Sequence, residues 1–367
     1  MAVDFESDTI YCNTMSYSMP PDSKSAVRRA GKSIAAGQAT NTEIALVDQW
    51  RASHGYVINT FQAWIKRHIV KQDFEVEFAQ RLKRKRTVDD KLRRRDRHGR
   101  PLITDVTAMH DLAGCRMIFD TIDDLIEFRT YLHSSDVMRN VQHELRHEAE
   151  KYDYIESPKS TGYRGIHDVY RHYPRRHRKD SQGGVWNGLS VEIQYRTRAQ
   201  HAWATAVEIS DLLDGERTKF EMDQSDRGRF FSLSSEIIAR NYEGYVRSFL
   251  ERSTSDIQGE LQSLEDRLGI MQRLRALKQF EVGDDLQRHN VLNIKRVASG
   301  DLELEALSFQ NATLAIAKAT ELEADVNSVN AVYVRSDNPS QLRSAYRNYF
   351  YDPVDFVELL QSEAELE

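Results

Sequence analysis

The chain has 367 residues, of which 40% are hydrophobic and 29% charged, so it can bury a sizeable core and is not disordered as a whole. Its net charge of −6 excludes a uniformly basic nucleic-acid coat. The charge is divided unevenly, because residues 1–220 carry 35 basic and 31 acidic residues, whereas residues 221–367 carry 16 and 26.

Cysteine content and hydropathy limit the cellular setting. Cys12 and Cys115 are too few for a disulfide framework or a zinc cluster. No apolar run approaches the ~20 residues that span a bilayer. The acidic N-terminus lacks the apolar core of a signal peptide. We therefore expect a reduced, cytoplasmic protein without a membrane partner.

The N-terminal part is predicted to be a leader followed by helices. Residues 1–40 are rich in Ser, Met, Pro and Ala and predict a partly ordered leader. From Asn41 apolar residues recur at helical spacing, with Thr42 as a candidate N-cap. A charged helix is predicted from Asp73 to about Arg95.

Strands and helices alternate in the middle of the chain. The predicted strands are 113–119, 164–173 and 189–197, and the predicted helices are 120–135 and 199–213. The last two strands are predicted to pair through the polar segment 179–188, whereas residues 141–150 have no clear assignment. This alternation argues for an α/β (α+β) sheet domain.

The composition changes after about Gly215. Long charged helices are predicted from Asp226 to about Phe280. A small β-α-β-α unit follows, with strands at 302–309 and 330–337 and helices at 312–325 and 342–350. We therefore divide the chain into a sheet domain at 41–215 and an acidic regulatory or interaction domain at 216–367.

The first candidate for chemistry is a basic stretch. Between Arg81 and Arg100 there are 11 basic and 3 acidic residues. On a helix, Arg81, Lys85 and Arg86 would lie on neighbouring faces, so their charges could converge on one polyphosphate. The alternatives are a solvated basic helix and a general nucleic-acid patch.

The second candidate is the segment from His110 to Arg116. Asp111, at the entry to a strand, could hold Mg²⁺, which prefers hard oxygen ligands and phosphates. A metal-dependent phosphohydrolase would need further His and Asp ligands, which we cannot assemble from the sequence. The alternative is a capping Asp111 and an ion-paired Arg116.

The third candidate is the glycine-punctuated loop at 158–167. Tyr163 could stack on a base, while Lys159 and Arg164 could hold phosphates. The alternative is an ordinary surface turn, with Gly162 and Gly165 chosen for backbone freedom.

The fourth candidate is the strand at 191–197. Alternation places Glu192, Gln194 and Arg196 on one face, where an acid, an amide and a guanidinium suit a metal, a base edge and a phosphate. The alternative is a strand face that points to solvent.

Together these motifs give a family resemblance from about Phe78 to Asp211. The chain resembles the synthetase domain of the RelA/SpoT family in four ordered motifs. They are Arg81-x-Lys83-x₃-Thr87-Val88-x₂-Lys91, Asp111-Leu-Ala-Gly-x-Arg116, Pro158-Lys159-x₂-Gly162-Tyr163-Arg164-x₂-His167 and Glu192-Ile-Gln194-x-Arg196-Thr197. Thr87, Val88 and Tyr195 replace the family's Ser, Ile and Ile.

The resemblance implies a fold and an activity. The fold would be a nucleotidyltransferase-like mixed sheet flanked by helices. The activity would be a pyrophosphokinase that moves the β,γ-pyrophosphate of ATP to the ribose 3′-hydroxyl of GDP or GTP, making (p)ppGpp. With only 80 residues before Arg81, the hydrolase domain of the long family members is expected to be absent.

The resemblance also implies roles for individual residues. Arg81 and Arg116 would sandwich adenine, and Lys83 and Lys91 would hold the ATP phosphates. Asp111 and Glu192 would be the catalytic carboxylates that bind Mg²⁺, and Glu192 would also activate the hydroxyl. The acceptor would be held by Lys159, Tyr163, Arg164, His167, Gln194 and Arg196, with Tyr163 stacked on guanine.

Two other functions are open at this point. Some synthetase-only relatives are toxins that pyrophosphorylate the 3′ end of tRNA, and cations at 81–100 and 171–179 would suit a tRNA backbone. Residues 216–367 could then restrain the toxin until a trigger such as a phage protein binds them. The third hypothesis is an inactive nucleotide-binding module, against which the intact Asp111 and Glu192 argue.

Other features have no functional assignment from the resemblance. Val207 stands where small synthetases tend to place Glu, beside a retained Trp203-Ala204 pair. The Tyr- and Arg-rich segment 333–351 suits either an interaction surface or a helical core. Small relatives often form homo-oligomers, an interface that residues 216–367 could block or replace.

Overall fold

A computed structural model describes residues 17–96, 98–103, 105–139, 141, 143–173, 182–214, 225–275, 286–297, 302–335 and 353–361. The strands are β1 (Glu77–Leu82), β2 (Ala113–Phe119), β3 (Glu144–Leu145), β4 (Ile166–Arg171), β5 (Ser190–Thr197), β6 (His289–Arg296), β7 (Leu302–Phe309) and β8 (Ser328–Arg335). The helices are α1 (Lys24–Ala35), α2 (Asn41–Gln72), α3 (Lys85–Arg93), α4 (Ile122–His133), α5 (Ser135–Met138), α6 (Arg198–Asp214), α7 (Asp226–Ile238), α8 (Thr254–Leu268), α9 (Ile270–Arg275), α10 (Ala312–Ala324) and α11 (Val354–Gln361).

The eight strands form one mixed sheet in the order β3-β4-β5-β2-β1-β8-β6-β7. β2 and β5 run parallel, and the other neighbours among the described strands are antiparallel. This architecture confirms the predicted α/β class with a mixed sheet flanked by helices. The pairing of β4 with β5, which sets His167 opposite Gln194, confirms the predicted strand pair.

The predicted charged helix from Asp73 to Arg95 is wrong in its first half. Residues 77–82 form β1, which pairs along its whole length with β2. Phe78, Ala79 and Leu82 are buried there, so sheet pairing and burial outweigh the helical preference of the charged residues. Arg81 and Lys83 therefore lie on and just after a strand, and helix α3 begins only at Lys85.

The helix predicted from Asn41 is one continuous element of 32 residues. Its N-cap is Thr40 rather than Thr42, because the Thr40 side chain and Glu43 form a reciprocal capping box. Part of the predicted leader is also ordered, since α1 at 24–35 buries Val27 and Ile34. Residues 1–16 lie outside the described residues.

The C-terminal strands do not form a sheet of their own. β8 pairs with β1 through Gln80 opposite Arg335 and Arg81 opposite Val334. The predicted strand-helix-strand order at 302–335 is present, and it is preceded by β6, which the sequence analysis does not identify. The predicted helix at 342–350, and most of the Tyr- and Arg-rich segment, lie outside the described residues.

Apolar side chains are buried on both faces of the sheet. One cluster joins Phe61 of α2 to Met117 of β2, and the other joins Ile118 of β2 to Trp203 of α6. Alternation along β2 therefore turns Gly114 and Arg116 toward the face that carries α6. In the described part of the chain no helix is both long and apolar enough to cross a membrane.

Three buried histidines make acid sensitivity an expected property of the fold. Burial lowers the pKa of His54 and of His172 to about 4 and that of His143 to about 3. Each folded pKa lies below the unfolded value near 6.5, so each ring is neutral in both states above that pH. As the pH falls toward the folded pKa, only the unfolded chain takes up the proton, and the folded state is destabilised. We expect each to cost about 2 kcal/mol between pH 7 and pH 5.

Urea denaturation at both pH values would check this expectation. His172→Gln removes one buried ring, so its loss of stability at pH 5 relative to pH 7 should be smaller than that of the unaltered protein. His98→Gln removes an exposed ring and serves as the control. If both variants lose the same stability between pH 7 and pH 5, the buried His172 is not a source of the acid sensitivity.

Candidate active site

Eleven of the twelve predicted site residues converge on one cavity. Its volume is about 980 Å³, and it opens between the ends of the central strands, α3 and the loop before β4. The predicted residues that line it are Arg81, Lys83, Lys91, Asp111, Arg116, Lys159, Tyr163, His167, Glu192, Gln194 and Arg196. The sheet thus brings together residues that lie up to 115 positions apart in the sequence, from Arg81 to Arg196.

Strand register brings the two acidic residues into the same cavity. Asp111 lies just before β2, and Glu192 on β5 is the partner of Gly114 in the parallel pair. Lys83 follows β1 and donates its backbone N–H to the carbonyl of Leu112 at 2.8 Å. This bond sets Lys83 beside Asp111.

Asp111 forms ion pairs with two lysines through one oxygen. Its Oδ2 accepts from Lys83 Nζ at 2.5 Å and from Lys91 Nζ at 2.8 Å. Burial raises the pKa of Asp111, but Lys83 and Lys91 outweigh it and hold that pKa below its ordinary value. Burial also lowers the pKa of Lys83, although the negative charge of Asp111 acts to raise it.

The other oxygen of Asp111 is the feature that suits a metal. Asp111 Oδ1 is buried and has no hydrogen-bond partner among the described residues. No group of three or more His, Cys, Asp or Glu suited to a metal occurs within the described residues. Mg²⁺ is commonly bound by one or two carboxylates plus substrate phosphates. Asp111 and Glu192 therefore suit Mg²⁺ that is bound together with a substrate, rather than a metal ion held by protein ligands alone.

A chain of hydrogen bonds runs from Glu192 to Tyr163. His167 Nδ1 lies 3.1 Å from Glu192 Oε1, and His167 Nε2 lies 2.5 Å from the Tyr163 hydroxyl. Gln194 Nε2 donates to the second oxygen of Glu192 at 2.7 Å, and Arg196 Nη2 donates to the Tyr163 hydroxyl at 3.1 Å. A carboxylate, an imidazole and a phenol are therefore coupled in one line.

This coupling changes three pKa values. Burial raises the pKa of Glu192, but His167 outweighs it and lowers that pKa to about 2. Burial lowers the pKa of His167, but Tyr163 and Glu192 raise it to about 9. Burial raises the pKa of Tyr163, but Arg196 and His167 lower it to about 7. At neutral pH the site therefore favours a Glu192 carboxylate beside a protonated His167.

Aromatic rings form another part of the cavity wall. The rings of Tyr154 and Tyr163 meet edge to face, with centroids 5.7 Å apart. Lys159 Nζ lies 4.2 Å from the Tyr154 centroid and 5.2 Å from that of Tyr163. The wall combines an aromatic surface with cations, which is the chemistry that binds a nucleobase and its phosphates.

Arg164 is the predicted site residue that the structure does not bring to the cavity. Its Nη2 donates to Glu236 Oε2 of α7 at 2.7 Å, and its Nη1 donates to the carbonyl of Tyr245 at 2.9 Å. Both Arg164 and Glu236 are buried. Because neighbouring residues of an extended segment point to opposite sides, Tyr163 lines the cavity and Arg164 holds the loop against α7.

The same loop depends on Gly162. This residue has a φ of +88°, and a Cβ here would lie 2.9 Å from Cα of Ser232 in α7. We expect Gly162→Ala to lower the free energy of unfolding by about 2 kcal/mol, from left-handed strain and overlap with α7. Gly184→Ala is the matched control, because a Cβ there meets nothing within 4 Å. Chemical denaturation yielding equal stabilities for the two variants would refute the expectation.

The cavity also has walls that the sequence analysis missed. Val329, Asn330 and Val332 of β8 line it, as do Tyr154 and Arg84. Tyr154 lies in a Tyr-Asp-Tyr segment near the predicted loop, which is a weak local signal. No local signal marks the β8 residues, because they reach the cavity only through the pairing of β8 with β1.

Comparison with known families finds one match within the chain. Residues 80–210 match the model of the "region found in RelA / SpoT proteins". These residues contain the second half of β1, all of β2, β3, β4 and β5, and most of α6. A search of curated proteins finds no match to the chain.

Solved structures of similar proteins cover more than half of the chain. Small alarmone synthetase 1 from Bacillus subtilis bound to its product pppGpp is 24% identical, with a TM-score of 0.37, over 57% of this chain and 94% of that one. A GTP pyrophosphokinase family protein from Streptococcus pneumoniae is 21% identical, with a TM-score of 0.34, over 60% of this chain and 86% of that one.

Proposed function

We propose that the domain at 80–210, which carries the region found in RelA/SpoT proteins, is an ATP-dependent pyrophosphokinase. It would transfer the β,γ-pyrophosphate of ATP to the ribose 3′-hydroxyl of GDP or GTP and release AMP. The observation that carries this proposal is the pair Asp111 and Glu192 in one cavity whose wall also contains lysines and aromatic rings.

The donor would bind on the lysine side. Lys83 and Lys91 would pair with the ATP phosphates, and Arg81 and Arg116 on neighbouring strands β1 and β2 would hold adenine between them. Catalysis of this transfer rests mainly on positioning and on neutralising charge, which these cations supply. Asp111 and Glu192 would hold Mg²⁺, which would supply further positive charge to the phosphates.

The acceptor would bind against Tyr163. Guanine would stack on this ring, with Lys159, His167, Gln194 and Arg196 around the rest of the nucleotide. The 3′-oxygen would form a bond to the β-phosphorus while the bond from that phosphorus to the α,β-bridging oxygen breaks. The hydroxyl proton would pass to the Glu192 carboxylate, which its low pKa keeps ionised at neutral pH.

A transfer assay tests the proposal. The purified full chain would receive ATP labelled on its β- and γ-phosphates, Mg²⁺, and GDP, GTP or uncharged tRNA in parallel. Label on GDP or GTP is the expected result. The absence of transfer to every acceptor, with no binding of ATP, would refute the enzyme assignment and leave a structural or binding role.

The tRNA arm is included because of one further observation. Arg84, Arg86 and Arg94 line the cavity, and Arg93 and Arg95 are exposed beyond it, so cations continue past the space that a nucleotide fills. Such a surface suits a longer phosphate backbone. Transfer of label to tRNA in place of guanosine nucleotides would make the chain a tRNA-modifying toxin, with residues 216–367 as its candidate restraint.

A further inference from the structure

We infer that Glu323 of α10, in the C-terminal part of the chain, is a positioning residue for the two lysines on the donor side of the cavity. It acts by capping α3 from a distance of more than two hundred residues in sequence. The inference rests on the proposed function, because it assigns Lys83 and Lys91 to the ATP phosphates.

Helix α3 depends on this outside cap. Its N-cap residue Arg84 makes no capping hydrogen bond with its side chain, and its first turn contains no acidic residue. Glu323 Oε2 instead accepts from the backbone N–H of Lys85 at 2.7 Å and from that of Arg86 at 3.4 Å. A carboxylate at this end accepts hydrogen bonds from two backbone N–H groups that have no partner within the helix. Its negative charge is also attracted to the positive N-terminal end of the helix dipole.

The same short segment has two more anchors to the C-terminal part. Arg51 Nη1 donates to the carbonyl of Lys83 at 3.1 Å, and its Nη2 donates to Thr320 Oγ1 of α10 at 2.7 Å. Arg84 Nη1 donates to Asn330 Oδ1 of β8. Each residue from 83 to 86 is thus bound to the C-terminal part of the chain. Lys83 is bound through Arg51, Arg84 by Asn330, and Lys85 and Arg86 by Glu323.

This segment joins the two lysines that share Asp111. Lys83 lies at its start, and Lys91 lies on α3 less than two turns after its end. A change in the direction of α3 would therefore move Lys91 Nζ relative to Asp111 Oδ2, which it contacts at 2.8 Å. Misplacement of about 1 Å in a positioning group can lower catalytic efficiency by orders of magnitude.

The test is the Michaelis constant for ATP in the full chain. Glu323→Ala should raise KM for ATP about fivefold, the change expected for a lost helix cap, while KM for the guanosine acceptor stays within about twofold. Glu323→Gln keeps an oxygen that can accept both hydrogen bonds, so it should restore KM for ATP to within about twofold of the original. Binding of a non-hydrolysable ATP analogue, measured by calorimetry, should change by the same factor as KM.

Glu321→Ala provides the matched control. Glu321 lies on the same helix, is exposed, and pairs with Lys318 rather than with α3. If Glu323→Ala and Glu321→Ala have the same KM for ATP, the inference is wrong while the proposed function stands. A lower KM in Glu323→Ala would also overturn it, by making the contact inhibitory. If the unaltered chain neither transfers pyrophosphate nor binds the analogue, the proposed function fails and the inference fails with it.

Discussion

Replacing Glu192 by Gln is expected to lower kcat for pyrophosphate transfer by about a thousandfold or more, the range lost when a positioned base is removed. The amide has nearly the same shape but cannot accept the proton of the 3′-hydroxyl or pair with a protonated His167. Because His167 can release its own proton, the substitution leaves no uncompensated charge, and the thermal midpoint should change little. Single-turnover assays with labelled ATP would give the rate.

Glu127→Gln is the matched control for this substitution. Glu127 lies on the exposed side of α4, away from the cavity, so its rate should equal that of the unaltered chain. A rate for Glu192→Gln within about tenfold of that control would exclude Glu192 as the base, since general bases contribute at least ~100-fold.

Replacing Asp111 by Asn should reduce both activity and stability. The neutral amide no longer pairs with Lys83 and Lys91, and the loss of charged hydrogen bonds at this partly buried position costs about 2 kcal/mol. We also expect kcat to fall by at least about a hundredfold, because the phosphates lose a charge-matched site. The dependence of the residual rate on Mg²⁺ concentration should shift to higher concentrations, as one carboxylate is lost.

Two measurements separate these effects. Urea denaturation gives the stability of Asp111→Asn, and the rate is measured at a temperature where the variant is fully folded. Asp136→Asn, an exposed substitution on α5, controls for the loss of one negative charge. A variant that keeps both full activity and full stability would contradict the roles given to Asp111.

The site was more predictable from the sequence than the architecture around it. Asp111, Glu192 and Tyr163 lie in short motifs whose spacing is local, and the cavity contains all three. Arg164 belongs to the same loop but binds Glu236, a partner 72 positions away that no local pattern identifies. The motif identifies Arg164 as a cation in this loop, but whether its side chain faces the cavity or the protein interior depends on α7, a helix from another part of the chain.

The largest errors concern long-range strand pairing. The segment 77–82 carries charged residues that favour a helix, yet β2 and β8 convert it into a central strand. β6 was missed because its partners β7 and β8 lie later in the chain, and pairing rather than local composition stabilises it. Non-local contacts of this kind leave little trace in a single sequence.

The junction of β1 with β8 also has a consequence during protein synthesis. β1 is made early, whereas its neighbour β8 follows after roughly 250 further residues, which a ribosome adds in about 10 to 50 s at 5–20 residues per second. Throughout that interval one hydrogen-bonding edge of β1 lacks its final partner, and exposed strand edges favour association with other chains. The order of translation therefore means that a strand made late, β8, protects one made early, β1, and slow or interrupted synthesis should expose the nascent chain to misassembly.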